Sequence, residues 1–240
     1  MGTPVKVTVI GAGSATFSLG LVKDLCLTEN LAGSHVCFMD VDEERLARIH
    51  KLAERYVQEL GAKLTFDRTT DRRQALQDAD FVINTAGKEY SYRDERRELV
   101  KRHGYYAGPN FPVTYMMNLP LMLDVARDIE RICPNAWLIQ SGNPVREGTP
   151  LITHQTRVKV IGLCHGHYGY QHIARVLGLD PDKVQWVAPG LNHLIWLQEF
   201  RYEGRDAYPL VDEWIENKAE AYWQDRVDHP EKYGLEDYMS

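Results

Sequence analysis

Short apolar runs, each followed by a stretch with helical spacing of its apolar residues, recur along the first two-thirds of this chain. Residues 5–10 are β-branched and apolar, which predicts a parallel strand buried on both faces and ending at Gly11. Phe17, Leu21 and Leu25, with Val22 on the adjoining face, predict a helix that ends before Gly33. Residues 35–40 predict a second strand with an acidic tip. Asp42, Glu43 and Glu44 suit the positive end of a helix, and Leu46, Ile49, Leu52, Tyr56 and Leu60 extend its apolar face to Gly61. A short strand at 64–66, a short helix at 72–76 and a central strand at 81–84 continue the series. This alternation predicts an α/β fold in which an open parallel sheet carries helices on both faces.

Farther along, 119–133 reads as a helix, 136–139 as a strand leading into Ser141-Gly142-Asn143-Pro144, and 158–163 as a strand leading into Cys164. Residues 195–202 alternate like an antiparallel strand of a different sheet, and 211–223 are amphipathic. The chain has no internal repeat or low-complexity segment. The expected domains are a parallel-sheet domain over 1–190 and the beginning of an α+β domain over 191–240.

Composition narrows the partners. With 240 residues, 44% hydrophobic and 26% charged, the chain is long and apolar enough to bury a core like that of an ordinary soluble protein. A formal charge of −6 offers no general attraction to phosphate backbones or anionic lipid, so a small molecule is expected rather than nucleic acid or membrane. A homo-oligomer, dimer or tetramer, is expected as the assembly. Cys26, Cys37, Cys133 and Cys164 lack the spacing of a disulfide framework and read as reduced thiols. With no leader segment ahead of the first strand and no apolar run of bilayer length, a cytoplasmic protein is expected.

Gly11-Ala12-Gly13-Ser14 closes the first strand and opens a helix. There Gly11 makes a tight turn, Gly13 lets backbone approach a pyrophosphate, and Ser14 begins the helix whose N-terminus receives it. Asp40, at the tip of the second strand, suits the ribose hydroxyls of NAD and would repel the extra phosphate of NADP. Asn84 and Thr85 end the next strand on the same edge and are expected to line the cofactor, although Asn84 fits a plain strand-to-loop turn equally well. The domain is therefore expected to be an NAD-binding, Rossmann-type one.

Cys164-His165-Gly166-His167 and Asn192-His193 each follow an apolar strand. A thiolate and an imidazole are donors that a transition metal accepts, so Cys164 and His193 are expected as ligands of an open, catalytic metal site. Asn143 and Asn192 are expected to bind substrate hydroxyls. Arg146 and Arg93 suit a substrate carboxylate, unless they are simply solvated loop arginines.

These residues resemble glycoside hydrolase family 4, the NAD- and divalent-metal-dependent glycosidases related in fold to lactate and malate dehydrogenases. The resemblance is carried by Gly11-Ala12-Gly13-Ser14, Asp40, residues 82–86, Asn143-Pro144, Cys164-His165-Gly166 and Asn192-His193. It implies manganese(II), or another divalent transition metal, on Cys164 and His193, with Asn143 on the substrate. It also makes 191–240 the start of a lactate/malate dehydrogenase-like domain. Cys-His-Gly looks like the α-glucuronidase branch, with α-glucosides, α-galactosides and α-galacturonides as alternatives, and His165 becomes a candidate catalytic residue. The implied chemistry is hydride removal from sugar carbon 3 by NAD, proton loss from carbon 2, departure of the glycosidic oxygen, water addition and hydride return. Family 4 is in this respect an exception among glycosidases.

The resemblance places the catalytic tyrosine beyond Ser240. Tyr222, Tyr233 and Tyr238 do not match its spacing from His193, so no general base is assigned and the chain reads as an N-terminal portion or a short member. Two alternatives are a 2-hydroxy acid dehydrogenase, for which no Asp-x-x-Arg followed by a Gly-x-His-Gly turn stands in the expected places, and a non-catalytic NAD-binding module.

Overall fold

A computed structural model describes residues 2–88, 98, 101–102, 112–164, 169–191, 194–229 and 232. The chain divides into two compact units, Met1–Leu163 and Cys164–Ser240.

In the first unit, β1 (Lys6–Ile10), β2 (His35–Met39), β3 (Thr65–Thr69), β4 (Phe81–Asn84), β5 (Trp137–Gln140) and β6 (Lys159–Gly162) form one sheet, ordered β3-β2-β1-β4-β5-β6. All its pairings are parallel. Helices α1 (Ala15–Leu27), α2 (Glu43–Leu60), α3 (Arg72–Leu76), α4 (Pro112–Ile132) and α5 (Val145–Gln155) complete it. Alternation along the strands sorts the core into two layers. Val7, Val9, Val36 and Phe38 pack with Val22 of α1 and Leu46 and Ile49 of α2. Ile10, Cys37, Val82 and Leu138 pack with Ala75 of α3, Met122, Val125 and Ile129 of α4, and Ile152 of α5. The fold is the expected Rossmann-type one. Strand order reverses between β1 and β4, and such switch points are where open α/β sheets bind ligands, beyond the carboxyl ends of the strands.

Several elements differ from the sequence reading. On α1, Phe17 is exposed, and the buried face is Ser18, Val22 and Leu25, because the Ser18 hydroxyl turns inward to donate to the Ala12 carbonyl at 2.7 Å. On α2, Leu52 and Leu60 are exposed while Ala53 is fully buried; its small side chain lets the helix sit close to the sheet. Helix α2 does begin at an Asp42 cap, whose carboxylate accepts from Arg45 N–H, and ends at Gly61 with φ of 63°. Strand β3 extends to Thr69, because its parallel register with β2 runs to Thr69 opposite Met39.

The second unit holds α6 (Gly169–Val176), β7 (Val184–Val187), β8 (Gly190–Leu191), β9 (Leu194–Ile195), β10 (Glu199–Tyr202), β11 (Arg205–Asp206) and α7 (Tyr208–Asp228). Strand β10 lies between β7 and β11 in an antiparallel sheet, and β8 and β9 form a separate hairpin. Ala174, Phe200 and Ala207 form its buried centre. The expected single strand over 195–202 is two strands, interrupted where Leu197 turns in toward that centre. Strand β7 pairs antiparallel with β10, so it belongs to the second sheet. Helix α7 leaves Ile215, Trp223 and Val227 exposed, so the amphipathic reading of 211–223 holds only in part. No helix among the described residues is long and apolar enough to cross a membrane.

Candidate functional site

The carboxyl ends of β1, β2, β4 and β5 bring the predicted turn, the acidic tip and two further loops together, since Ile10 pairs with Met39 and Asn84, and Asn84 with Gln140. Gly11 has φ of 88°, a conformation that L side chains rarely adopt, and a Cβ there would lie 2.6 Å from Ala86 N and 2.9 Å from Thr85 C. The glycine is therefore required by the loop after β4 as well as by the turn. A Cβ on Gly13 would stand 2.8 Å from Asp40 Oδ2, whose carboxylate accepts the Gly13 N–H at 2.8 Å and the Asp42 N–H at 3.0 Å. Asp40 thus holds the glycine turn from the tip of β2. Ser14 is the N-cap of α1, exposed and without a capping hydrogen bond from its side chain. The first N–H groups of a helix lack intrahelical partners, so this end presents donors suited to an anion.

Asn84 and Thr85 serve the scaffold. Asn84 is fully buried; its Nδ2 donates to Gln140 Oε1 at 2.8 Å and its Oδ1 accepts from Ala86 N–H at 3.2 Å. The Thr85 hydroxyl lies 3.1 Å from the Ile10 carbonyl and 3.2 Å from that of Gly11. Their side chains are committed inside the protein, which leaves the backbone of 85–88 to face a ligand.

The loop after β5 packs on the same backbone, where a Cβ on Gly142 would lie 2.9 Å from Ala86 O. Asn143 is exposed at this edge and precedes a cis peptide bond to Pro144. Arg146 is exposed on the first turn of α5. Two residues absent from the sequence reading organise this region. Gln140 is fully buried, and its Nε2 donates to the Gly142 carbonyl at 2.8 Å. Asn118 on α4 accepts from Lys88 N–H at 2.7 Å and donates to the Asn143 carbonyl at 2.8 Å. Asn118 interrupts the apolar run at 116–119 and Gln140 ends the one at 136–139, and a polar residue within or closing such a run is the signal that would have flagged each.

Three of the cysteines are poor ligand candidates. Burial pushes the Cys37 thiol up to about 12, with Asp67 adding to the effect, and the Cys133 thiol up to about 11; burial also raises Cys26. Cys164 instead begins the second unit and is half-buried. Arg93, His165, Asn192 and His193 lie outside the described residues. Among the described residues no three His, Cys, Asp or Glu side chains cluster as a metal site.

Comparison with known proteins follows this geometry. Residues 6–179 match the model of family 4 glycosyl hydrolases and 188–236 that of the family 4 glycosyl hydrolase C-terminal domain. An alpha-galactosidase of Bacillus subtilis (strain 168) is 30% identical over 232 residues, covering 92% of this chain and 54% of the relative. A 6-phospho-alpha-glucosidase from gut microorganisms, solved with NAD and Mn2+, superposes with a TM-score of 0.80 at 20% identity, covering 90% of this chain and 52% of the other. Lactate dehydrogenase from Eimeria maxima, solved with NADH and oxamate, superposes at 0.66 with 19% identity, covering 91% and 62%. The fold is thus the one shared by these glycosidases and dehydrogenases. This chain spans about half the length of the glycosidases it matches.

Proposed function

This chain belongs to the family 4 glycosyl hydrolases, and we propose that it binds NAD at the Gly11–Gly13 turn and acts in the cleavage of α-glycosidic bonds, with α-glucuronides as the substrate class. One observation carries the reading: at the switch point Gly11 has no room for a side chain against the backbone of the loop after β4, and the turn ends in a helix N-terminus without a side-chain cap. A structural turn alone would not need the open helix end.

In this reading Gly11, Gly13 and Ser14 hold the pyrophosphate, and Asp40 the adenosine ribose. The backbone at 85–88 lines the cofactor, with Asn84 and Thr85 fixing it from beneath. Asn143 and Arg146 take the sugar from the same edge, with Asn192 added by the family pattern. The donor chemistry of Cys164 and His193 fits a divalent transition metal, although manganese(II) is harder than a thiolate and draws on substrate oxygens as well. When bound, NAD accepts and later returns a hydride at sugar carbon 3, and the metal stabilises negative charge on the sugar oxygens. Cys164 must lose its proton to act as a ligand. His165 remains a candidate for contact with the sugar and is the residue behind the uronide preference; the general base is unassigned.

NAD titration of the parent and Gly13→Val tests the core of this reading. The variant is expected to bind on the order of a hundredfold more weakly, about 2.7 kcal/mol, because its side chain displaces both pyrophosphate and Asp40. Equal affinity in the folded variant would defeat the assignment. Incubation of this chain, and of a longer form that also carries the general base, with NAD, manganese and a panel of p-nitrophenyl α-glycosides tests the chemistry; NAD binding without any turnover in the longer form would favour the non-catalytic reading.

A further inference from the structure

Two buried amide bridges join the loop after β4 to the loop after β5. One runs from Ala86 N–H through Asn84 and Gln140 to the Gly142 carbonyl, and both of its amides belong to the sheet. The other is a single side chain from outside the sheet, Asn118, which is 1% exposed and spans from Lys88 N–H to the Asn143 carbonyl. We propose that Asn118 is a positioning residue that sets the cofactor-facing backbone around Lys88 and the sugar-facing Asn143 in fixed relation to each other. The proposal rests on the site reading above.

The chemistry of the position selects asparagine. It must accept one hydrogen bond and donate another across a gap of fixed length, which leucine cannot do at all. An ionised aspartate would keep the acceptor for Lys88 N–H but turn a second acceptor toward the Asn143 carbonyl. Glutamine is one methylene longer and would carry its amide past the positions from which Asn118 reaches the Lys88 N–H and the Asn143 carbonyl. Asn118 also stands on α4, whose Met122, Val125 and Ile129 are fully buried, so the bridge is anchored to the core of the unit.

Two variants of the whole chain separate positioning from bulk stability. Asn118→Asp retains the bond to Lys88 and loses the one to Asn143; Asn118→Leu loses both. Backbone hydrogen exchange without cofactor is expected to rise at Lys88 in Asn118→Leu only. In both variants it should rise at Ser141 and Gly142, whose N–H groups bond to the Asn84 carbonyl in the joined loops. NAD affinity, measured well below the unfolding temperature, should fall about tenfold in Asn118→Leu, the scale of one lost buried hydrogen bond, and less in Asn118→Asp. A purely structural role would lower thermal stability and leave the affinity of the folded protein unchanged, and that result overturns the proposal. Unchanged exchange at Lys88 in Asn118→Leu overturns it as well. If the parent fails to bind NAD, the cofactor reading falls, and the exchange pattern alone still decides whether Asn118 positions the two loops.

Discussion

Besides the buried hydroxyls of Thr8, Ser18 and Ser34, polar side chains enter the interior of the first unit at two places, and the two use opposite chemistry. At the carboxyl edge Asn84, Gln140 and Asn118 are neutral amides with exposures of at most 1%. Between α3 and α4, Asp128 is a carboxylate only 5% exposed, held by Arg72 and Arg131. An amide donates and accepts at once, so one side chain can join an N–H of one loop to a carbonyl of another. A carboxylate only accepts and must recruit cations, which here arrive on side chains that still reach water, 27% exposed for Arg72 and 67% for Arg131. The amides therefore fix the backbone where a ligand is expected, without charge. The ionic cluster fixes one helix to another and carries a sensitivity to acid that the amides lack.

The largest effect expected from this contrast is at Asn84. Asn84→Leu removes at once the partner of the Ala86 N–H and that of the buried Gln140 Oε1, at a cost of roughly 2–4 kcal/mol. Asp128→Ala should cost less, about 1–3 kcal/mol, because the two arginines it leaves behind can turn to solvent. Urea denaturation of both variants checks the order. A larger loss at Asp128 would mean that charge, not neutral bridging, dominates the interior of this unit.

Acid sharpens the same distinction. Burial by itself raises the Asp128 carboxyl, but the hydrogen bonds and charges of Arg72 and then Arg131 outweigh it and hold the group below the ordinary carboxylate value. A depressed carboxyl stabilises the folded state fully above its unfolded pKa, and that contribution is lost as pH falls through the folded one. The stability gap between the parent and Asp128→Asn should therefore shrink from about pH 6 toward about pH 3. The gap between the parent and Asn84→Leu should stay level apart from changes the two proteins share. A gap for Asp128→Asn that is constant across this range would contradict the ion-pair account.

The contrast also explains what the sequence reveals. Strands β1, β2 and β4 are legible because apolar runs between glycine or acidic tips have one reading in an α/β chain, and Gly11, Gly13 and Asp40 are legible because strand ends place them. Helix rotation is less legible. Phe17 and Leu52 lie on plausible stripes, but Ser18 and Ala53 are the fully buried residues beside them, small side chains that hydrophobicity alone does not single out. The amide bridges are hidden for a related reason: Asn118 and Asn143 are 25 residues apart and meet only once α4 has packed. Strand β7 shows the same limit, since a short strand does not announce whether its partner will be parallel or antiparallel.

Asp40 is where the comparison is finest, because it brings a charge into the otherwise neutral edge. Its two oxygens accept the Gly13 and Asp42 N–H groups, so its shape supports the turn while its charge faces the position expected for the ribose. Asp40→Asn separates the two contributions. One carboxamide oxygen can still accept from Gly13, and the amide NH2 then opposes the Asp42 N–H, which should cost within about 1 kcal/mol of stability. The lost charge acts on selectivity: a ribose phosphate is no longer repelled, so the preference for NAD over NADP should shrink by roughly threefold to tenfold, a coupling of about 1 kcal/mol between exposed charges. Parallel titrations of NAD and NADP against the parent, Asp40→Asn and Asp40→Ala check this. The alanine variant loses both bonds to the turn as well, so it should show the same change in the ratio of affinities together with weaker binding of both nucleotides. An unchanged ratio in both variants, or a parent that prefers NADP, would leave Asp40 as a brace for the glycine turn and remove it from cofactor choice.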